Sequence, residues 1–347
     1  MATKQDPKQD SKQDSKQSSA DLASQWAASG VSILNGMFGD YLHQRQNGLA
    51  IDMAFMHESQ PLTLDRSSLL SAYPQAGGKL CIFIHGLCCN ERSWLFVDDA
   101  DNPIEESYGS LLQDELGFTS LYLRYNTGRR LAENGEQFAR LLGALVLAYP
   151  VAIEKIVLVG HSMGGLIIRS ACEFANQRGA EPDAGWLAHV DKAFYLGTPH
   201  EGADLEKLTH AAVAVLDAVP NSITRVIGDV LNLRSQGIKN LRDAQALRPD
   251  ISSMPGMSGD ATPWLDQLQH YLIAGTLHED PQHLVNQLFG DGLVRVAGAA
   301  AQGADGNSRL PDDHIKVFPG VHHMALAHDR TVYNQIKQWI AQHERST

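Results

Sequence analysis

Cysteine is scarce in this chain of 347 residues, and the four present do not form a pattern. Cys81, Cys88, Cys89 and Cys172 include one adjacent pair and nothing resembling a spaced disulfide framework or a zinc knuckle. They read as buried or half-exposed thiols. No H-E-x-x-H occurs, and His322, His323 and His328 have loop spacing rather than helix-face spacing, so no metal is expected. Basic charge is also short. Against 40 Asp and Glu stand 28 Lys and Arg, and the net charge of −12 would repel phosphate, which excludes nucleic acid as a partner. The same charge disfavours an anionic bilayer, leaving only transient contact of an apolar face with lipid. No segment approaches the roughly eighteen apolar residues of a membrane span. The amino terminus lacks the apolar stretch of a signal peptide, so a cytoplasmic address is expected.

Apolar residues, by contrast, are plentiful at 43% of the chain, enough for one large core. Residues 1–20 repeat Lys-Gln-Asp followed by Pro or Ser, with balanced charge and little to bury, and should form a disordered low-complexity tail. Residues 21–78 read as a helix joined to a hairpin. Leu22, Trp26, Val31, Leu34, Phe38 and Tyr41 recur at helical intervals, and "LAIDMAF" and "PLTLD" flank the turn-like "HESQP". From residue 79 to 342 the pattern alternates. Strands are predicted at Leu80–Ile84, Ser120–Arg124, Lys155–Val159, Lys192–Leu196, Tyr271–Ala274 and Ile315–Phe318. Helices are predicted at Ile104–Leu116, Leu131–Ala148, Gly165–Gln177 and Val332–Gln342. Short apolar strands between amphipathic helices specify an α/β fold with a mostly parallel central sheet flanked by helices. About residues 201–264 the strand signal vanishes and Leu, Val and Ile fall at helical spacing, which reads as a helical cap inserted over the sheet.

"VLVGHSMGGLIIRSA", from Val157 to Ala171, places a serine where a strand becomes a helix. A tight strand–turn–helix junction strains its central residue, and Gly160, Gly164 and Gly165 remove the side chains that would clash there. With His161 they would support Ser162, whose Oγ would project from the carboxyl edge of the sheet. A serine hydroxyl needs a base to act as nucleophile, and the base needs a carboxylate to hold its tautomer. In this architecture the order is Ser, acid, His. Asp291 in "FGDGLVRVAG" is the preferred acid, with Asp260, Asp266 and Glu279 also lying in the interval. His323 in "VFPGVHHMALAHD" is the preferred base, with His322 beside it. Two preorganised amides would hold a developing oxyanion. Met163 follows the serine, and Leu87 lies in the "HGL" loop, where Gly86 gives room and His85 braces the turn. Cys88 and His200 are substrate-pocket candidates.

Taken together, "HGL" at His85–Leu87, "GHSMGG" at Gly160–Gly165, "GTPHEG" at Gly197–Gly202, "GDGLV" at Gly290–Val294 and "HHM" at His322–Met324 resemble the α/β-hydrolase superfamily. Within it they look most like bacterial esterase/lipase-type serine hydrolases, including the group related to GPI inositol-deacylase. The resemblance covers about residues 79–342. It implies Ser162, Asp291 and His323 as nucleophile, acid and base, Leu87 and Met163 at the oxyanion hole, and a helical lid above "GTPHEG". Secreted lipases of similar type carry a calcium-binding aspartate just after the catalytic histidine. Met324, Ala325 and Leu326 stand there instead, so no calcium site is expected. The implied activity is hydrolysis of a small-molecule ester or lipid with an apolar acyl chain, through an acyl-enzyme and with no cofactor. The same triad would also serve a thioesterase or acyltransferase, and the fold would serve a non-catalytic binding protein.

Overall fold

A computed structural model of the chain describes residues 28–36, 39–40, 42–98, 102–179, 184–200, 264–276 and 310–342. The tail, most of the cap interval, and Asp260, Glu279 and Asp291 lie outside the described residues.

Among the described residues ten strands form two sheets. Eight of them make one sheet in the order β2(Gln60–Pro61), β1(Ala54–His57), β6(Thr119–Arg124), β3(Lys79–Ile84), β7(Lys155–His161), β8(Val190–Leu196), β9(Gln269–Thr276), β10(Ile315–Pro319). From β6 to β10 every pairing is parallel; β1 runs antiparallel to both neighbours. All six strands predicted after residue 79 are present, within a few residues of their expected ends. The central strands β3 and β7 are buried almost throughout, as strands covered on both faces must be. Their alternation sorts the core. Leu80, Ile82, Ile84, Ile156 and Leu158 pack on one face with α4(Leu131–Ala148) and α5(Met163–Arg178). Cys81, Phe83, Val157 and Val159 pack on the other with α3(Tyr108–Leu116) and α6(Arg330–Gln342).

Two expectations are corrected, and one helix is added. Helix was expected from Ile104, but Pro103–Ser107 is β5, paired antiparallel with β4(Leu95–Val97) in the second sheet. Ser107 ends that strand and caps α3, since its Oγ accepts from the Ser110 amide (3.1 Å) while Ser110 Oγ accepts from the Ser107 amide (2.9 Å). In the hairpin the turn is two residues rather than five. Glu58 and Ser59 both take positive φ (47° and 64°), the left-handed pair that matches strand twist, and β2 is correspondingly short. A short helix, α2(Arg66–Ala72), had no predicted counterpart and is capped by Asp65, which accepts from the Ser67 and Ser68 amides at 2.9 Å each. At the amino end residues 28–36 are helical (α1), and Asn35 fixes them to the chain ahead by donating to the Leu49 carbonyl (2.7 Å) and accepting from the Ile51 amide (2.9 Å).

This topology sets where chemistry can gather. After β3 the chain leaves toward α3 on one face, and after β7 it enters α5 on the opposite face, so a crevice opens between the carboxyl ends of two adjacent strands.

Candidate active site

At the end of β7, Ser162 adopts φ 53° and ψ −122°, a left-handed backbone for a residue with a side chain. Such strain costs about 1–3 kcal/mol and persists only where the surroundings impose it. Here they do. The Ser162 amide donates to the Leu196 carbonyl (2.7 Å), and the Gly165 amide donates to the Ser162 carbonyl (3.1 Å). A Cβ on Gly160 would sit 2.6 Å from the Gly165 nitrogen, and one on Gly164 would collide with the Ile84 carbonyl oxygen. Ser162 holds the N-cap position of α5, yet its hydroxyl caps no amide of that helix. Met163 is the first helical residue, so its N–H has no carbonyl partner within α5.

The "HGL" loop after β3 lies against this elbow. At Gly86 an added Cβ would stand 3.0 Å from Ser162 Cβ and 3.2 Å from His161 Nδ1, so a larger residue would press on the elbow. His85 braces it. Its Nδ1 donates to the Gly86 carbonyl (2.9 Å), its ring stacks on Tyr125 at 4.6 Å, and Tyr125 Oη donates to the His85 carbonyl (2.8 Å). Burial pushes His85 down to about 4, so it is neutral near pH 7. The Cys89 amide closes a turn on the Gly86 carbonyl (3.2 Å), and Leu87 within that turn is half-buried against the core. Cys88 takes φ 61°; its amide donates to Thr127 Oγ1 (3.2 Å) and its sulfur faces Gly36 of α1.

His323 arrives from β10 in the short helical turn His323–Ala327. Its imidazole lies over Gly197, where a Cβ would be 2.8 Å from Nδ1. Because Gly197 directly follows Leu196, the acceptor of the Ser162 amide, Ser162 and His323 meet the same turn at the end of β8. The two adjacent histidines are placed differently. His322 is exposed and serves as N-cap of the turn, its Nδ1 accepting from the Ala325 amide (3.3 Å). Asp291 lies outside the described residues; β9 carries the chain to this edge next to β8. Asp266 belongs to the turn ahead of β9, before the strand rather than after it.

His200 is covered rather than open. Arg169 Nη1 donates to its Nδ1 (3.1 Å), and its ring packs against Tyr195 (5.0 Å) and Trp264 (4.9 Å). Arg169 also stacks its guanidinium on Trp264 at 4.3 Å, so one side chain of α5 holds both described flanks of the cap interval. Tyr108 is a residue that sequence reasoning missed. Its buried hydroxyl accepts from the Asp329 amide (2.9 Å) and donates toward the Asp329 (2.7 Å) and Leu326 (3.0 Å) carbonyls, gripping the loop that carries His323. Spacing in the sequence offers no signal for a contact across more than two hundred residues. Among the described residues no three His, Cys, Asp or Glu side chains cluster to hold a metal ion, and no helix is long and apolar enough to cross a membrane.

Comparison with known proteins adds a family. A family model described as "Alpha/beta hydrolase family" matches residues 81–335. No curated protein matches the sequence. Likenesses to solved structures are distant. The mature form of a Bacillus licheniformis lipase aligns with TM-score 0.39 and 16% identity over 75% of this chain and 91% of that one. A gene product of Listeria innocua aligns with TM-score 0.41 and 14% identity over 76% and 93%. A laboratory-evolved variant of a potato epoxide hydrolase aligns with TM-score 0.40 and 14% identity, also over 76% and 93%.

Proposed function

This chain belongs to the alpha/beta hydrolase family, and from that premise we propose that it is a serine hydrolase cleaving carboxylic esters, an esterase or lipase acting on an apolar acyl chain. The observation that carries the reading is the backbone of Ser162. A serine held at φ 53°, with its hydroxyl unused as a cap and its amide anchored to β8, is a nucleophile elbow.

In the proposed cycle Ser162 Oγ attacks the ester carbonyl while His323 takes its proton. The amides of Leu87 and Met163 receive the oxyanion, each such donor being worth about 10²–10³ in rate. His323 returns the proton to the departing alcohol, and the acyl group stays on Ser162. Water, activated by the same imidazole, then releases the acid and frees the serine. Asp291 is the proposed carboxylate that holds the His323 tautomer. His323 is preferred to His322 because the second ring faces solvent and caps its own turn. The apolar acyl chain rests on the Leu, Val and Ile content of residues 201–264. No step calls for a cofactor, and the partner is the small-molecule ester itself.

Ser162→Ala tests this directly. Turnover of p-nitrophenyl esters should fall by about 10³-fold or more, and labelling by a fluorophosphonate should cease. Undiminished turnover by the folded variant would reject the mechanism.

A further inference from the structure

His161 stands between the strand glycine and the nucleophile, and its imidazole turns into the protein with 1% exposure. Nε2 lies 2.9 Å from the His323 carbonyl oxygen. A carbonyl only accepts, so Nε2 carries the proton and Nδ1 is a bare acceptor. Nδ1 is buried, has no hydrogen-bond partner among the described residues, and faces Gly86 of the oxyanion loop. The ring packs on His323 at 4.8 Å and meets Trp94 edge-on at 6.5 Å. Burial, reinforced by His323, keeps it well below the ordinary histidine range and therefore neutral.

We propose that His161 is a positioning residue whose Nε2–H ties the base-bearing loop to the nucleophile elbow and so sets the His323 imidazole relative to Ser162. The proposal rests on the serine-hydrolase reading above. A filler would need no nitrogen. An apolar side chain of similar size would avoid the desolvation of Nδ1, and what the imidazole supplies in return is donation at the other nitrogen. Tyr108 grips the same loop farther along, at Leu326 and Asp329. His161 reaches the backbone of residue 323 itself, from the residue next to the nucleophile.

The test uses two neutral, polar replacements. In His161→Gln the amide nitrogen can stand where Nε2 stands; in His161→Asn it stops near Nδ1 and cannot reach the carbonyl. His161→Asn should lower kcat for a p-nitrophenyl ester by about 10-fold or more with KM within about 2-fold, and His161→Gln should recover to within about 3-fold of the native enzyme. Equal kcat in the two folded variants, high or low, would overturn the proposal. Should either variant fail to fold, imidazole ¹⁵N NMR of the native chain decides. The spectrum should show His161 protonated at Nε2 and bare at Nδ1, unchanged between about pH 6 and pH 8. A proton on Nδ1, or titration in that interval, overturns the bond. Ser162→Ala run alongside separates the two readings, because turnover that survives it refutes the hydrolase reading while the NMR arm still judges the hydrogen bond.

Discussion

Removing a single oxygen, in Tyr108→Phe, should loosen the loop that carries His323. The Tyr108 side chain is fully buried, with Trp94, Phe96 and Tyr333 around its ring, so phenylalanine keeps the packing and loses only the hydroxyl. That hydroxyl satisfies the Asp329 amide (2.9 Å) and the Asp329 carbonyl (2.7 Å), with the Leu326 carbonyl at 3.0 Å. Burial raises its pKa well above the ordinary tyrosine value, so it keeps its proton at every working pH. Stranding a buried N–H and a carbonyl costs about 1–3 kcal/mol. With an unfolding entropy of about 2.1 cal/mol/K per residue, the 347 residues give about 0.7 kcal/mol/K, so a loss of about 2 kcal/mol lowers Tm by about 3 °C. Leu326 lies in the same turn as His323, so kcat should drop by about 10-fold with KM little changed. Differential scanning fluorimetry and p-nitrophenyl ester kinetics on the same preparation read both effects. A Tm shift below about 1 °C together with native kcat would refute the account of how this loop is held.

Other perturbations follow from the same contacts. Gly86→Ala inserts a Cβ 3.0 Å from Ser162 Cβ, and moving the "HGL" loop to relieve it should cut kcat/KM by about 100-fold while circular dichroism stays native; near-native turnover would show that the loop is not in register with the serine. Arg169→Met removes the donor to His200 and the stacking on Trp264, and urea unfolding should report a loss of about 3 kcal/mol; a loss under about 0.5 kcal/mol would count against the clasp. Stability should also fall with acid. Burial holds His85 and His270 down to about 4, and His161 and His200 well below the ordinary value, whereas in the unfolded chain all four titrate near about 6.5. The unfolded state therefore binds more protons. Stability is fully present above about pH 6.5 and drains toward about pH 4, each group contributing up to about 1.4 kcal/mol per pH unit. Urea midpoints that are flat between about pH 7 and pH 5 would contradict this.

The strands and most helices were legible because their signals are local. α4 matches its predicted bounds residue for residue, since an uninterrupted 3.6-residue apolar rhythm leaves no other solution. The segment from Ile104 misled for a related reason. A short run of mixed polarity fits a strand or a helix equally, and the capping contact between Ser107 and Ser110 decided where the helix starts. The elbow was legible too, because Gly160 and Gly164 stand against backbone atoms that leave no room for a Cβ.

By itself, then, the amino-acid order determined the α/β alternation, the elbow at Ser162, and the family motifs that surround it. Only the tertiary structure set His323 over Gly197 while leaving His322 exposed at its own turn, brought His161 within hydrogen-bond distance of the His323 carbonyl, and tied Tyr108 to the loop. The reason is distance along the chain. His161 and His323 are 162 positions apart, and Tyr108 and Leu326 are 218 apart. No local periodicity encodes such pairs; the strand order of the sheet brings them together.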